Sequence, residues 1–224
     1  MSHALTIETT THGRVLIEDA ADPSSRRLIV AFHGYAQNAE DVLAEVRQIP
    51  GVSSWRIASV QALHRFYSRA RGGAPNERVV ASWMTREDRD QAIADNIAYV
   101  DRAIDEIVGE SLAPAIVFVG FSQGVAMAYR AALLGRHPAT GIIALGGDVP
   151  PELMTRPDLK WPPVLIGAGA TDGWYTAERL GRDEAWLLSR GIEHEICRFD
   201  GGHEWTQEFL GTAGRWLTAR DRVR

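Results

Sequence analysis

The 224-residue chain sets 24 lysines and arginines against 29 acidic residues, a formal net charge of −5, with 45% hydrophobic and 24% charged residues. These are ordinary globular proportions, with enough apolar material for one sizeable core that needs no disulfide or metal. The acidic balance excludes the concentrated basic surface that nucleic-acid binding requires, and no run of about 18 apolar residues is present to span a membrane. The lone cysteine, Cys197, has no internal partner for a disulfide and is expected to be a buried small hydrophobe. The start, "MSHALTIETTTHG", lacks the basic and apolar regions of a secretory signal, so a cytoplasmic location is expected. Arginine almost wholly replaces lysine, Lys160 being the single exception, which we read as coding bias without functional content.

In chain order, "ALTIE" (4–8) and "RVLIE" (14–18) read as a strand pair around "TTTHG". "RLIVAFHG" (27–34) is an apolar run ending at Gly34, as expected of a central strand buried on both faces. "AEDVLAEVRQI" (39–49) has helical spacing, with Asn38 as its expected N-cap, and "WRIASVQA" (55–62) is the next strand. The polar stretch 64–79 reads as a long functional loop. Helical periodicity returns over 87–108. A strand (115–121), a helix (123–134) and strands at 140–147, 163–170 and 193–199 follow, with helices near 175–190 and 205–219. The Pro-rich 148–163 reads as a surface connection. Strands alternating with helices predict an α/β fold: one domain over 1–224, with a mostly parallel twisted sheet of about eight strands and helices on both faces. No insertion is long enough for a separate cap domain.

Between the strand 115–121 and the helix 123–134 stands Gly120-Phe121-Ser122-Gln123-Gly124, a G-x-S-x-G pattern in the strand–turn–helix context that gives it meaning. Such a turn forces positive φ on the serine and small residues at −2 and +2, and it aims the free N–H groups of the helix start at the hydroxyl. The bland alternative is an N-cap serine. A serine nucleophile needs a base, and the base an orienting acid. Of the seven histidines, His203 in "FDGGHEW" follows the predicted last strand on a glycine-rich loop, C-terminal to the serine. His33 and His64 are weaker candidates, and His3, His12, His137 and His194 lie in terminal, turn or structural sequence. For the acid, Asp172 in "GAGATDGWY" follows the strand 163–170; Asp148 in "LGGDVPP" is a rival, and Asp200 reads as a turn former. The oxyanion donors expected are the backbone N–H of Gln123 and of Tyr35, the latter on the loop after "IVAFHG".

Taken together, "HGYAQN", "GFSQG", "GATD" and "GGHEW" make the chain resemble the phospholipase/carboxylesterase family of α/β hydrolases, which includes the acyl-protein thioesterases. The resemblance spans nearly the full length. It implies triad roles for Ser122, Asp172 and His203 and an oxyanion hole at Tyr35 and Gln123. "ASWMT" is similar to the family segment whose tryptophan borders the active site, which points to Trp83. With Trp174 and Trp205 near predicted site loops, Trp83 is expected to wall an aromatic substrate cleft, the bland alternative being core tryptophans. Two departures stand out. Ala36 occupies the place of a usual second glycine, predicting a differently shaped oxyanion loop. In "DGWYT", Tyr175 and Thr176 stand where the family usually has a Val-Pro pair, with Trp174 alongside, and these aromatics are expected to narrow the acyl pocket.

The activity implied is that of a serine carboxylesterase acting on small or medium-chain esters through an acyl-enzyme, without cofactor or metal. "HEICR" and "HEWTQ" lack the second histidine of a zinc motif, and no P-loop or dinucleotide fingerprint is present. The alternatives are a thioesterase or lysophospholipase with the same triad, or a catalytically silent binding protein on the same fold. The partner expected is a small-molecule ester, and a homodimer is compatible with the sequence.

Overall fold

The computed structural model describes residues 2–68, 78–109 and 115–220. Its centre is a seven-stranded sheet built from β1 (Arg14–Glu18), β2 (Arg27–Phe32), β3 (Arg56–Gln61), β6 (Ala115–Phe121), β7 (Gly141–Leu145), β8 (Val164–Gly169) and β9 (His194–Phe199). The order is β1-β3-β2-β6-β7-β8-β9. Only β1 runs antiparallel to its neighbour. Strands β4 (His64–Tyr67) and β5 (Val79–Ser82) form a separate two-stranded antiparallel sheet.

Strand periodicity sorts the core into two layers. In β2, Leu28, Val30 and Phe32 face one layer while Ile29 and Ala31 face the other. The first layer is covered by α2 (Arg89–Val108), α3 (Gln123–Leu134), the short α4 (Pro151–Met154) and α5 (Ala177–Ser189). The second is covered by α1 (Ala39–Val46) and α6 (Gln207–Arg220). Burial on both sides explains why the parallel strands read as continuous apolar runs. Asn38 caps α1 in a reciprocal box with Asp41, as expected from its position.

Three sequence expectations are corrected. Residues 4–8 form no strand, and Leu5 and Ile7 are exposed. Strand β1 pairs instead with β3, far along the chain, because alternation identifies a strand but not its partner. The loop expected over 64–79 contains β4 and the start of β5 at its two ends; its centre, 69–77, lies outside the described residues. The Pro-rich connection holds α4, with proline at its first turn.

The strand order has one consequence for function. From β2 the chain crosses outward to β3, then returns to the other side of β2 as β6. The carboxyl ends of β2 and β6 are therefore adjacent at a topological switch point, where open α/β sheets form their ligand crevice. The packing at this point is close. A Cβ at Gly124 would lie 2.2 Å from the Phe32 carbonyl oxygen, and one at Gly120 would lie 2.5 Å from the Gly124 carbonyl oxygen. Both contacts are with backbone, which cannot swing aside. Gly124→Ala should therefore destabilise the fold by about 1–3 kcal/mol or more as overpacking, read as a lower urea midpoint at unchanged m-value.

Candidate active site

Ser122 joins β6 to α3 with φ 54° and ψ −119°, a conformation that costs a non-glycine residue about 1–3 kcal/mol. Its side chain makes no cap bond to the helix, so it is not acting as an N-cap serine. The Ser122 N–H donates to the Leu145 carbonyl at 2.9 Å and its carbonyl accepts from Val125 N–H at 3.0 Å. Those bonds and the surrounding glycines hold the strained turn. A Cβ at Gly34 would meet the Ser122 Cβ at 3.2 Å, and one at Gly147 the Ser122 carbonyl oxygen at 2.7 Å.

The structure pairs Asp172 with His203. Asp172 Oδ2 accepts from His203 Nδ1 at 2.7 Å, and its Oδ1 accepts from the N–H groups of Trp174 at 2.7 Å and Tyr175 at 2.9 Å. The carboxylate is buried while the imidazole is partly open. Burial pushes the Asp172 carboxyl up, but the His203 bond and the two backbone N–H groups outweigh it and hold the group below its usual value. The ring of Phe121 lies 5.0 Å from the His203 ring, centroid to centroid. A Cβ at Gly146 would stand 2.9 Å from His203 Cε1 and 3.5 Å from Asp172 Oδ2. The loops after β6, β7, β8 and β9 thus meet around Ser122, Asp172 and His203.

The rival acids lie elsewhere. Asp148 pairs with Arg179 at 3.3 Å and Arg182 at 3.0 Å, and Asp200 is exposed. Among the other histidines, His64 is exposed on β4. His33 is fully buried: Nδ1 donates to the Gly34 carbonyl at 2.7 Å and Nε2 accepts from Ala62 N–H at 3.1 Å. Burial pushes its pKa down, so it is a neutral structural strut beneath the loop after β2.

That loop carries Tyr35. Gln37 Oε1 accepts from Gly34 N–H at 2.7 Å, and backbone bonds between Ala36, Gln37 and Ala81 tie the loop to β5. Ala36 has φ 56°, so it adopts the left-handed conformation a glycine would take there. Tyr35 is exposed, its ring 5.6 Å from that of Phe66. The Tyr35 and Gln123 amides take no part in the turn and loop backbone bonds of the described residues.

Of the three tryptophans expected to wall a cleft, Trp83 is corrected: it is 0% exposed and cannot touch a substrate. Its indole Nε1 donates to the His33 carbonyl at 2.8 Å, so it braces the site from behind. Trp174 is 62% exposed beside Arg179, and Trp205 is partly buried against Phe121 and Phe209. Tyr175 is corrected too: its side chain is buried and turned inward, so it does not narrow a pocket.

Sequence reasoning missed the side chain of Gln123. Its Oε1 accepts from Trp83 N–H at 3.0 Å, and its Nε2 donates to the Met84 carbonyl at 3.1 Å and to Ser82 Oγ at 3.2 Å. It ties the start of α3 to the segment after β5. The only signal in sequence was an amide side chain at the first helical position, which by itself implies nothing.

The lowered Asp172 value has a stability consequence. Its contribution is fully present above the ordinary carboxyl value of about 3.9 and is lost as pH falls through the lower folded value. Asp172→Asn should lower stability at neutral pH and flatten the loss seen in acid below about pH 4, as read by thermal melts across that range.

Residues 14–211 match the family described as Phospholipase/Carboxylesterase. A "Putative hydrolase MhqD" from Bacillus subtilis (strain 168) is 26% identical over 199 residues, covering 86% of this chain and 93% of that protein. Among solved structures, esterase PE8 superposes with TM-score 0.69 at 23% identity, covering 93% of this chain and 99% of that one. Acyl-protein thioesterase 2 of Zea mays does so with TM-score 0.68 at 18% identity and the same coverages. These likenesses show a shared α/β-hydrolase fold, and with a match running from β1 into α6 the chain belongs to the phospholipase/carboxylesterase family of hydrolases.

Proposed function

We propose that the protein is a serine carboxylesterase that hydrolyses small or medium-chain carboxylic esters through an acyl-enzyme. The observation that supports this reading is a strained serine turn beside a part-buried Asp172–His203 hydrogen bond of 2.7 Å, with Gly146 packed on His203 and Asp172 and Gly147 on Ser122. With Nδ1 of His203 held by Asp172, Nε2 is the ring nitrogen left to exchange a proton.

In this reading Nε2 takes the Ser122 hydroxyl proton as Oγ attacks the ester carbonyl carbon, and Asp172 stabilises the imidazolium that forms. The carbonyl π pair moves onto oxygen, where the Tyr35 and Gln123 N–H groups receive it. Collapse expels the alcohol, which leaves with the proton from His203. Water then gives a proton to Nε2, attacks the acyl-enzyme, and Ser122 departs with that proton to leave the free acid. The dipole at the start of α3 favours the developing negative charge. The sequence has no insertion that would serve as a cap domain, which supports an open site and small substrates. Among the described residues no helix is long and apolar enough to cross a membrane.

The test is an intact-mass measurement after incubation with a small fluorophosphonate, followed by mapping of the adduct. One adduct on Ser122, absent in His203→Ala, is expected. Ser122→Ala should lose about three orders of magnitude or more in kcat on a short-chain nitrophenyl ester. No adduct on a folded sample, beside a control hydrolase that reacts, would reject the reading in favour of a silent binding protein. The same acyl-enzyme chemistry serves thioesters, and matched ester and thioester pairs of one acyl chain decide between them.

A further inference from the structure

Asp183 is a carboxylate that the proposed reaction does not use, yet it is fully buried. It lies within α5 and faces the two loops that flank the Asp172–His203 pair. One of its oxygens, Oδ2, accepts from Val149 N–H at 3.0 Å and from the Tyr175 hydroxyl at 3.1 Å. The other, Oδ1, is reached by Arg182 at 3.4 Å. Arg182 also holds Asp148, so the guanidinium links both carboxylates.

Each Oδ2 partner leads to the candidate site. The Tyr175 N–H donates to Asp172 Oδ1 at 2.9 Å, so the residue whose hydroxyl is fixed by Asp183 has its amide on the acid. Val149 closes the loop that begins at Gly146, and Gly146 has φ 68° and packs on His203 Cε1 and Asp172 Oδ2. One oxygen on a rigid helix therefore fixes the two loops that touch Asp172 and the imidazole. The arrangement depends on the Tyr175 hydroxyl. Burial and the neighbouring Asp183 both push the Tyr175 phenol up, so it stays a neutral donor.

We propose that Asp183 is a positioning residue for the acid–base pair: by accepting from the Tyr175 hydroxyl and the Val149 amide with one oxygen, it sets the orientation of Asp172 toward His203. This rests on the reading of Asp172 and His203 as the acid and base that serve Ser122. Asp183 touches no reacting atom. Its effect is carried through Tyr175 and the Val149 loop.

The test compares Tyr175→Phe, which removes the hydroxyl and keeps the ring, with Asp183→Asn, which keeps an acceptor oxygen. Both are made in the full chain, with folding checked by circular dichroism. Readouts are kcat and KM on a short-chain nitrophenyl ester and the far-downfield proton resonance of the His203 Nδ1–H···Asp172 bond. Tyr175→Phe is expected to lower kcat about tenfold with KM nearly unchanged, as a small misplacement of a reacting group does, and to weaken or shift the resonance. Asp183→Asn, which keeps one acceptor oxygen but loses the charge, should lose less kcat than Tyr175→Phe and shift the resonance less. A Tyr175→Phe protein with wild-type kcat and resonance overturns the proposal, as does a fall in kcat with the resonance untouched. A loss in Asp183→Asn equal to that in Tyr175→Phe overturns the acceptor role. If the wild type neither turns over ester nor takes a fluorophosphonate adduct, the esterase reading fails, and the resonance in the two variants still decides whether Asp183 orients Asp172.

Discussion

The close approach of backbone to backbone at Gly124, against the Phe32 carbonyl, is the constraint on which the rest of the site depends. The helix α3 can start where it does only if no side chain separates it from the end of β2. That contact draws the turn at Ser122 tight enough to force a positive φ. It also brings the loop after β2 against the serine, since a Cβ at Gly34 would touch Ser122 Cβ. The sheet order supplies the reason these two strand ends meet: β2 and β6 are neighbours at the point where the chain reverses its direction of travel across the sheet. Strain in the turn is held by packing on all sides, which is how a sparsely populated conformation persists in a folded protein.

Most polar groups buried beneath this turn are matched, Asn96 Oδ1 being an exception. His33, Trp83, Gln123, Ser82 and Asn96 form a connected set, with Trp83 alone bonded through its indole, its N–H and its carbonyl. A buried polar group left without a partner costs about 1–3 kcal/mol, so such a set specifies one arrangement of β2, β5, α2 and α3 over near alternatives. Arg130 extends the same principle deeper into α3. Its guanidinium is buried, and Glu152 of α4 compensates it at 2.6 Å. Replacing Glu152 would leave the buried Arg130 charge uncompensated, so the pair holds α4 against the helix that follows the serine.

The loops after β2 and β8 are held in different ways. Ala36 stands in the left-handed region, and backbone bonds from Ala36 and Gln37 to Ala81 hold the loop there. Tyr175 and Trp174 adjoin in sequence yet turn opposite ways. Both amides serve Asp172, but one ring goes into the core beside Asp183 while the other lies out in solvent over Arg179. The loop that follows β8 is thereby anchored from within, and only Trp174 is presented at its surface.

Much of this was legible in the chain itself. Apolar runs of strand length alternating with helical periodicity specify a parallel sheet covered on both faces, since burial on both sides removes the polar alternation of a half-exposed strand. Gly120 and Gly124 around Ser122 imply a tight turn because only small residues permit it. The position of His203 after the last strand, and of Asp172 after the one before, follows from where such a fold puts its loops. Tertiary structure alone decided the rest. That Asp172 and not Asp148 meets His203 depends on which carboxylate two arginines of α5 already hold. Residues 4–8 alternate like a strand, but β1 takes β3 as its partner, a choice set by sheet order. Trp83 reads like a wall of the cleft and is a buried brace, because the direction of a side chain depends on neighbours far along the chain. Local pattern determines which residues can form an element or bear a chemical group; only the packed fold determines which of them face one another.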